Sequence, residues 1–175
     1  MTVLVAYSSR HGATEGIAER IAATLSARDV PAEAQPVSSC RDCSAYDAAV
    51  VGSALYMFHW TKEGARFLRR HGTELAGRPV WLFSSGPLGP DEPDAQGRPP
   101  RETAGPKELE ELMDAVHAHD HHVFFGAWHK GKPKGAMERM VSLMPAARDA
   151  LPEGDFRDWD EIEAWAAEIA DELRS

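Results

Sequence analysis

The apolar run Val3-Leu4-Val5-Ala6-Tyr7 gives way at once to Ser8-Ser9-Arg10-His11-Gly12-Ala13-Thr14. The first stretch reads as a buried strand. The second is a turn of small and polar residues that opens a helix at Ala13–Thr14. A strand that feeds a helix through so short a loop commits the chain to a βα unit. Repeated units of this kind build a parallel sheet covered on both faces by right-handed crossovers. The loop also carries chemistry. The first amides of a helix lack intrahelical partners, the helix dipole adds partial positive charge, and the hydroxyls of Ser8, Ser9 and Thr14 flank Gly12. That combination cradles a phosphate. The loop has neither the G-x-x-x-x-G-K-[ST] of nucleotide hydrolases nor the G-x-G-x-x-G of dinucleotide folds. A single terminal phosphate held by hydroxyls suits it better than a triphosphate or pyrophosphate.

The alternation continues along the chain. A helix from Thr14 to about Ala27 carries Ile17, Ala18, Ile21, Ala22 and Leu25 on one stripe. A weak strand near Ala32–Val37, with Pro31 and Pro36, belongs at a sheet edge. Further strands are expected at Ala48–Ser53, Val80–Ser84 and His122–Gly126, and further helices at Thr61–His71, Pro106–His117 and Trp159–Leu173. Five such strands predict an α/β fold, a doubly wound parallel sheet of order 2-1-3-4-5, in one domain spanning residues 1–175. This order puts a ligand beyond the C-terminal ends of the first and third strands. The segment Ser38–Asp47 is too short for a full helix, so the second helix is expected to be vestigial. Two connections exceed what a compact domain needs. Residues 86–105 are rich in Pro and Gly. Residues 127–158 contain a helical stretch, Ala136–Met144, whose stripe of Met137, Met140, Val141 and Met144 reads as folded back on the body.

Charge is uneven. The net charge is −9, which argues against nucleic acid as a partner. Acids dominate residues 153–175, whereas Lys130, Lys132, Lys134, Arg139 and Arg148 make residues 127–148 basic. No apolar run is long enough for a membrane span and none reads as a signal peptide, so the expected location is the cytoplasm. Cys40 and Cys43 stand at C-x-x-C spacing. Two thiols are half of a zinc site at most, and they read as a surface pair in a reducing compartment, with a disulfide geometrically open. His117, His119, His121 and His122 fall between a helix end and a strand start and read as surface histidines near a favourable helix dipole. No residue is assigned to a metal. No acid–base or nucleophile–base pair marks a catalytic residue.

Three loops at the strand ends carry groups suited to a planar, phosphorylated ligand. The first is the cradle Ser9, Arg10, His11, Gly12, Ala13 and Thr14. The second holds Ala54, Leu55, Tyr56, Phe58, His59 and Trp60, whose aromatic faces suit stacking on a flat ring. The third, Ser84, Ser85, Gly86, Pro87, Leu88 and Gly89, offers hydroxyls and amides for the polar edge of a ring. With these motifs the chain resembles a short member of the flavodoxin superfamily, on the side of the menaquinone-dependent protoporphyrinogen dehydrogenases. The run Ser9–Thr14 resembles the family's FMN-phosphate loop, and Tyr46–Ser53 resembles the strand leading to its ring loop. His59, Gly126-Ala127 and Asp158-Trp159 also recur in that branch.

The resemblance implies FMN as cofactor and electron transfer as activity. Against that branch, the ring loop here is less basic and aromatic, and the connection 86–105 is richer in Pro, Gly and acid. The ring loop has no acid before Glu63, while Lys62, Arg66 and the Lys130–Lys134 block add positive charge. Positive charge stabilises an anionic reduced flavin and raises its potential. The expected protein is therefore an FMN oxidoreductase. It exchanges electrons between a reduced organic substrate or redox protein partner and an acceptor such as a quinone. The alternatives are a flavodoxin-type carrier without its own substrate and a binding module that has lost FMN. Peripheral membrane contact and a homodimer stay open.

Overall fold

The structure is a computed structural model and describes residues 1–86, 97–99, 105–128 and 153–175. Its elements in chain order are β1 (Val3–Ser8), α1 (Ala13–Ala27), β2 (Ala32–Pro36), β3 (Ala48–Tyr56), β4 (His59–Trp60), α2 (Lys62–Leu75), β5 (Val80–Ser85), α3 (Leu109–Val116), β6 (Asp120–Phe124), β7 (Ala127–Trp128), β8 (Gly154–Asp155) and α4 (Trp159–Arg174). The main sheet runs β2-β1-β3-β5-β6, all parallel, with β4 turned back antiparallel on β3. The five parallel strands thus take the expected doubly wound order, with β2 at an edge. Both windings begin at the centre, so the C-terminal ends of β1 and β3 open a cleft between them.

Strand alternation builds two cores. Val3, Val5 and Tyr7 of β1, Ala48 and Val50 of β3, and Trp81 and Phe83 of β5 face α1 and α4, where Ile17, Ile21, Leu25, Ile162, Trp165 and Ile169 cover them. The intervening Leu4, Ala6, Ala49, Val51 and Leu82 face α2 and α3 with Phe67, Leu68, Leu75, Leu112 and Val116. Both faces are buried, which is why these strands read as continuous apolar runs. Gly52 is required here, because a Cβ on it would lie 2.0 Å from the Phe83 ring. Among the described residues, no helix is long and apolar enough to cross a membrane.

Four expectations change. The segment expected as a loop at Ser53–Trp60 is a β-hairpin, because β3 runs on to Tyr56 and pairs Leu55 with Trp60 and Tyr56 with His59. Helix α3 starts at Leu109 rather than Pro106, since residues 107 and 108 form a turn before it. Strand β6 starts at Asp120, two residues early, because an edge strand with one neighbour tolerates polar side chains. His121 and His122 therefore lie within β6, and each takes its own partner, as does His119. Finally, Cys40 and Cys43 are buried, not a surface pair. No described residue between β2 and β3 is helical, so this short crossover presses its thiols onto the sheet. The expected helix Ala136–Met144 and the lysines 130, 132 and 134 lie outside the described residues.

His121 gives the fold a pH dependence. Burial pulls its pKa down from 6.5 to about 4; Asp120 opposes this and His122 adds to it. The Ser84 hydroxyl accepts a hydrogen bond from the Trp60 indole at 2.8 Å, which leaves its own proton to donate to His121 Nε2, also at 2.8 Å. Nε2 is then an unprotonated acceptor. The unfolded chain takes up this proton more readily than the native one, so the stabilisation is complete above pH 6.5 and is lost as pH falls towards about 4. Urea unfolding across that window is expected to show falling stability, with a shallower fall in His121→Asn. An equal slope in both proteins would refute the assignment.

Candidate functional site

The β1–α1 loop hands over to α1 at Gly12. Gly12 caps α1 with φ at 87°, a left-handed conformation that L side chains rarely adopt, and α1 has no side-chain cap. The first intrahelical bond runs from Gly16 N–H to the Gly12 carbonyl, which leaves the amides of Ala13, Thr14 and Glu15 ahead of it. Ser9 Oγ accepts from Gly12 N–H at 3.0 Å and fixes the turn. Thr14 is 1% exposed, and its hydroxyl has no hydrogen-bond partner among the described residues. Leaving such a group unmatched costs roughly 1–3 kcal/mol. A buried hydroxyl at an uncapped helix N-terminus fits an anionic oxygen, so these residues suit a bound phosphate.

A network of hydroxyls joins this loop to the next. Thr61 Oγ1 lies 2.6 Å from Ser8 Oγ and 3.1 Å from Ser53 Oγ. It also accepts from Gly64 N–H at 3.1 Å as the N-cap of α2, while Thr61 N–H donates to Ser53 Oγ at 3.1 Å. The ends of β1 and β3 and the start of α2 are thereby held together. Above the network, the Arg10 guanidinium lies over the Tyr56 ring, 4.9 Å from its centroid.

The β3–β4 hairpin turns on Met57 and Phe58, with φ of 50° and 63°. Two positive φ values define a turn for which Asn-Gly is the usual sequence. Each non-glycine residue there costs roughly 1–3 kcal/mol. Both side chains project outward, Met57 81% and Phe58 53% exposed. The hairpin is braced from behind. Glu108 Oε1 accepts from Trp60 N–H at 2.9 Å, Glu108 Oε2 pairs with His59 Nδ1 at 2.8 Å, and Lys107 N–H donates to the Phe58 carbonyl at 2.9 Å.

The structure gathers Ser9, Arg10, His11, Gly12, Ala13 and Thr14 at one loop and Ala54, Leu55, Tyr56, Phe58 and His59 at the adjoining hairpin. Trp60 differs from expectation. It is 4% exposed, and its indole is committed to Ser84, so it packs in the core rather than offering a stacking face. Ser84 and Ser85 are likewise buried, and Gly86 N–H donates to the Phe124 carbonyl. Pro87, Leu88 and Gly89 lie outside the described residues. Three further residues shape the site. Thr61 is the hydroxyl hub, and Glu108 brings a carboxylate to a loop that has none in its own sequence. Arg157 reaches the Ala13 carbonyl at 3.4 Å while held by Asp155 and stacked on Trp159. Only Thr61 leaves a trace in the sequence, as a cap residue ahead of a helix.

A family model described as flavodoxin domain matches residues 4–142. No curated protein matches the chain. Among solved structures, a flavodoxin from the domain Archaea is similar over 100% of both chains, with 14% identity and a TM-score of 0.62. A cysteine-to-serine mutant of flavodoxin from Pseudomonas aeruginosa is similar over 100% of both chains, with 18% identity and a TM-score of 0.61. Oxidised flavodoxin 2 from Bacillus cereus is 20% identical, with a TM-score of 0.59, over 98% of this chain and 99% of that one. At these identities the likeness establishes the fold.

Removing the Thr61 hydroxyl would strip the α2 cap and leave Ser8 and Ser53 without their shared partner. Thr61→Ala is expected to destabilise the protein by about 1–3 kcal/mol in urea unfolding, with Thr61→Ser close to wild type. An unchanged midpoint in Thr61→Ala would remove the network from the forces holding the site together.

Proposed function

Because the chain belongs to the flavodoxin-domain family, whose cofactor is FMN, we propose that it is an FMN oxidoreductase with the phosphate seated at the start of α1. Thr14 carries this reading, since its buried hydroxyl, without a partner among the described residues, sits where the flavodoxin-type loop holds its phosphate. Thr14 and Ser9 hydroxyls and the amides of the first α1 turn would hold the phosphate oxygens. Gly12 supplies the turn that aims those amides. Tyr56 and Phe58 would flank the ring. Bound FMN supplies one- and two-electron redox chemistry, while the protein contributes placement and charge.

The hairpin supports a reading of the electron acceptor. Met57 and Phe58 form an apolar, solvent-facing tip next to Tyr56. Single exposed apolar residues are ordinary; two on a strained turn beside the candidate ring site are a contact surface. We assign this tip to an apolar acceptor of the quinone class, with a redox protein as the competing partner. The Glu108 carboxylate is partnered by His59 and the Trp60 amide.

Thr14→Val separates binding from folding. It is expected to weaken FMN by about 1–3 kcal/mol, read by quenching of flavin fluorescence on titration. The flavin-free protein should be as stable as wild type or more so, because an unmatched buried hydroxyl has gone. Equal FMN affinity in the variant would move the phosphate elsewhere. Turnover of the reconstituted protein with quinones, porphyrinogen and redox proteins then separates the acceptors. Loss of quinone turnover in Met57→Ser, with FMN still bound, is the outcome expected for docking at the tip.

A further inference from the structure

The C-x-x-C pair does not stand alone. Cys40 and Cys43 lie on the helix-free crossover between β2 and β3, with their sulfurs 3.5 Å apart. The last turns of α2 bring His71 and Glu74 to Cys43, and His71 Nδ1 pairs with Glu74 Oε2 at 3.0 Å. One ligand atom each from Cys43, His71 and Glu74 lie within 4.8 Å of one another. Cys40, Cys43 and His71 are buried, at 7%, 0% and 6% exposure, and Glu74 is half-buried. Sequence supplies two of the four groups at C-x-x-C spacing, and the other two at His-x-x-Glu, one helical turn apart on α2. We infer that Cys40, Cys43, His71 and Glu74 form a closed site for a thiophilic divalent cation of the zinc type, distinct from the flavin cleft.

Geometry and chemistry agree on this. Tetrahedral zinc with Zn–S near 2.3 Å sets its thiolate sulfurs roughly 3.8 Å apart, close to the spacing already present. Two thiolates, an imidazole and a carboxylate complete four ligands without water, which is a structural rather than a catalytic set. Surrounding groups orient the ligands. The Arg78 guanidinium donates to the Cys43 and Ser44 carbonyls and offsets the negative charge of the set. The Phe67 ring packs on His71 with centroids 4.7 Å apart. Asp42 Oδ1 accepts from Ser44 N–H at 2.8 Å and closes the loop between the cysteines. The location gives the site its task. The chain between β2 and β3 has no described helix to bury against the sheet, and a cation would staple this crossover to α2. It lies towards the N-terminal edge of β3 and β5, across the sheet from the ends of β1 and β3 that form the candidate flavin cleft.

The test uses the full-length protein, purified without chelator and with thiols reduced. Elemental analysis is expected to find one zinc per chain. Replacement by Co2+ should give the visible absorption of tetrahedral cobalt and a thiolate charge-transfer band, read as a difference spectrum. His71→Asn and Glu74→Gln should each lose ~10-fold or more in zinc affinity against a chromogenic chelator, with FMN binding unchanged. Cys40→Ser/Cys43→Ser should abolish binding; the cobalt spectrum of the unaltered protein keeps the test valid if that variant does not fold. Three results would overturn the proposal: no uptake of Zn2+ or Co2+ by the reduced protein, wild-type zinc affinity in His71→Asn, or a Cys40–Cys43 disulfide that persists under reductant. Each readout is independent of flavin, so failure here leaves the cofactor reading untouched.

Discussion

One hydroxyl ties the working end of this molecule together. Thr61 Oγ1 contacts Ser8 from β1 and Ser53 from β3 and accepts from the first turn of α2. Parallel strands end without direct links between their outgoing loops, because each departs into its own helix. The Thr61 network bridges that gap with short bonds in a dry environment, where an unmet hydroxyl is costly. The cradle at Ser9–Thr14 and the hairpin at Tyr56–His59 therefore keep a fixed relation. A ligand that must touch both with one rigid ring system requires that relation before it arrives.

Neighbouring hydroxyls share a chemistry and have opposite fates. Those of Ser8, Ser53 and Thr61 are satisfied internally and hold the frame. That of Thr14, the second residue of α1, has no partner among the described residues, at a helix end whose amides also lie ahead of the first intrahelical bond. Local polar mismatch of this kind lowers stability, and an anion bound there would recover it. The contrast between the matched network and the unmatched neighbour locates the site more sharply than the abundance of serine and threonine in the loop.

The sequence reveals the frame because the frame rests on periodicity. Buried parallel strands read as apolar runs, α1 reads as a stripe, and Gly12 after Ser8-Ser9 reads as a turn into a helix. What stays hidden depends on distance in the chain or on a turn without its usual signal. Met57-Phe58 lacks the Asn-Gly that announces a hairpin, so β4 goes unseen. Glu108 and Arg157 reach the site from far along the chain. The polar composition around Cys40 and Cys43 suggests a surface, yet the shortness of the crossover drives both thiols inward, beside His71 and Glu74 from a separate helix. Trp60 reads as a stacking surface because sequence gives no sign that its indole is claimed by Ser84.

The hairpin tip sets stability against adhesion. Asn-Gly at positions 57 and 58 would relax two left-handed backbones and strip away an exposed thioether and an exposed phenyl ring. A chain optimised for robustness alone would make that exchange. Met and Phe there keep a greasy, preset protrusion on two strained backbones. Solubility is the counterweight: in a concentrated solution the same protrusion is the first place where two copies of this protein would stick to each other.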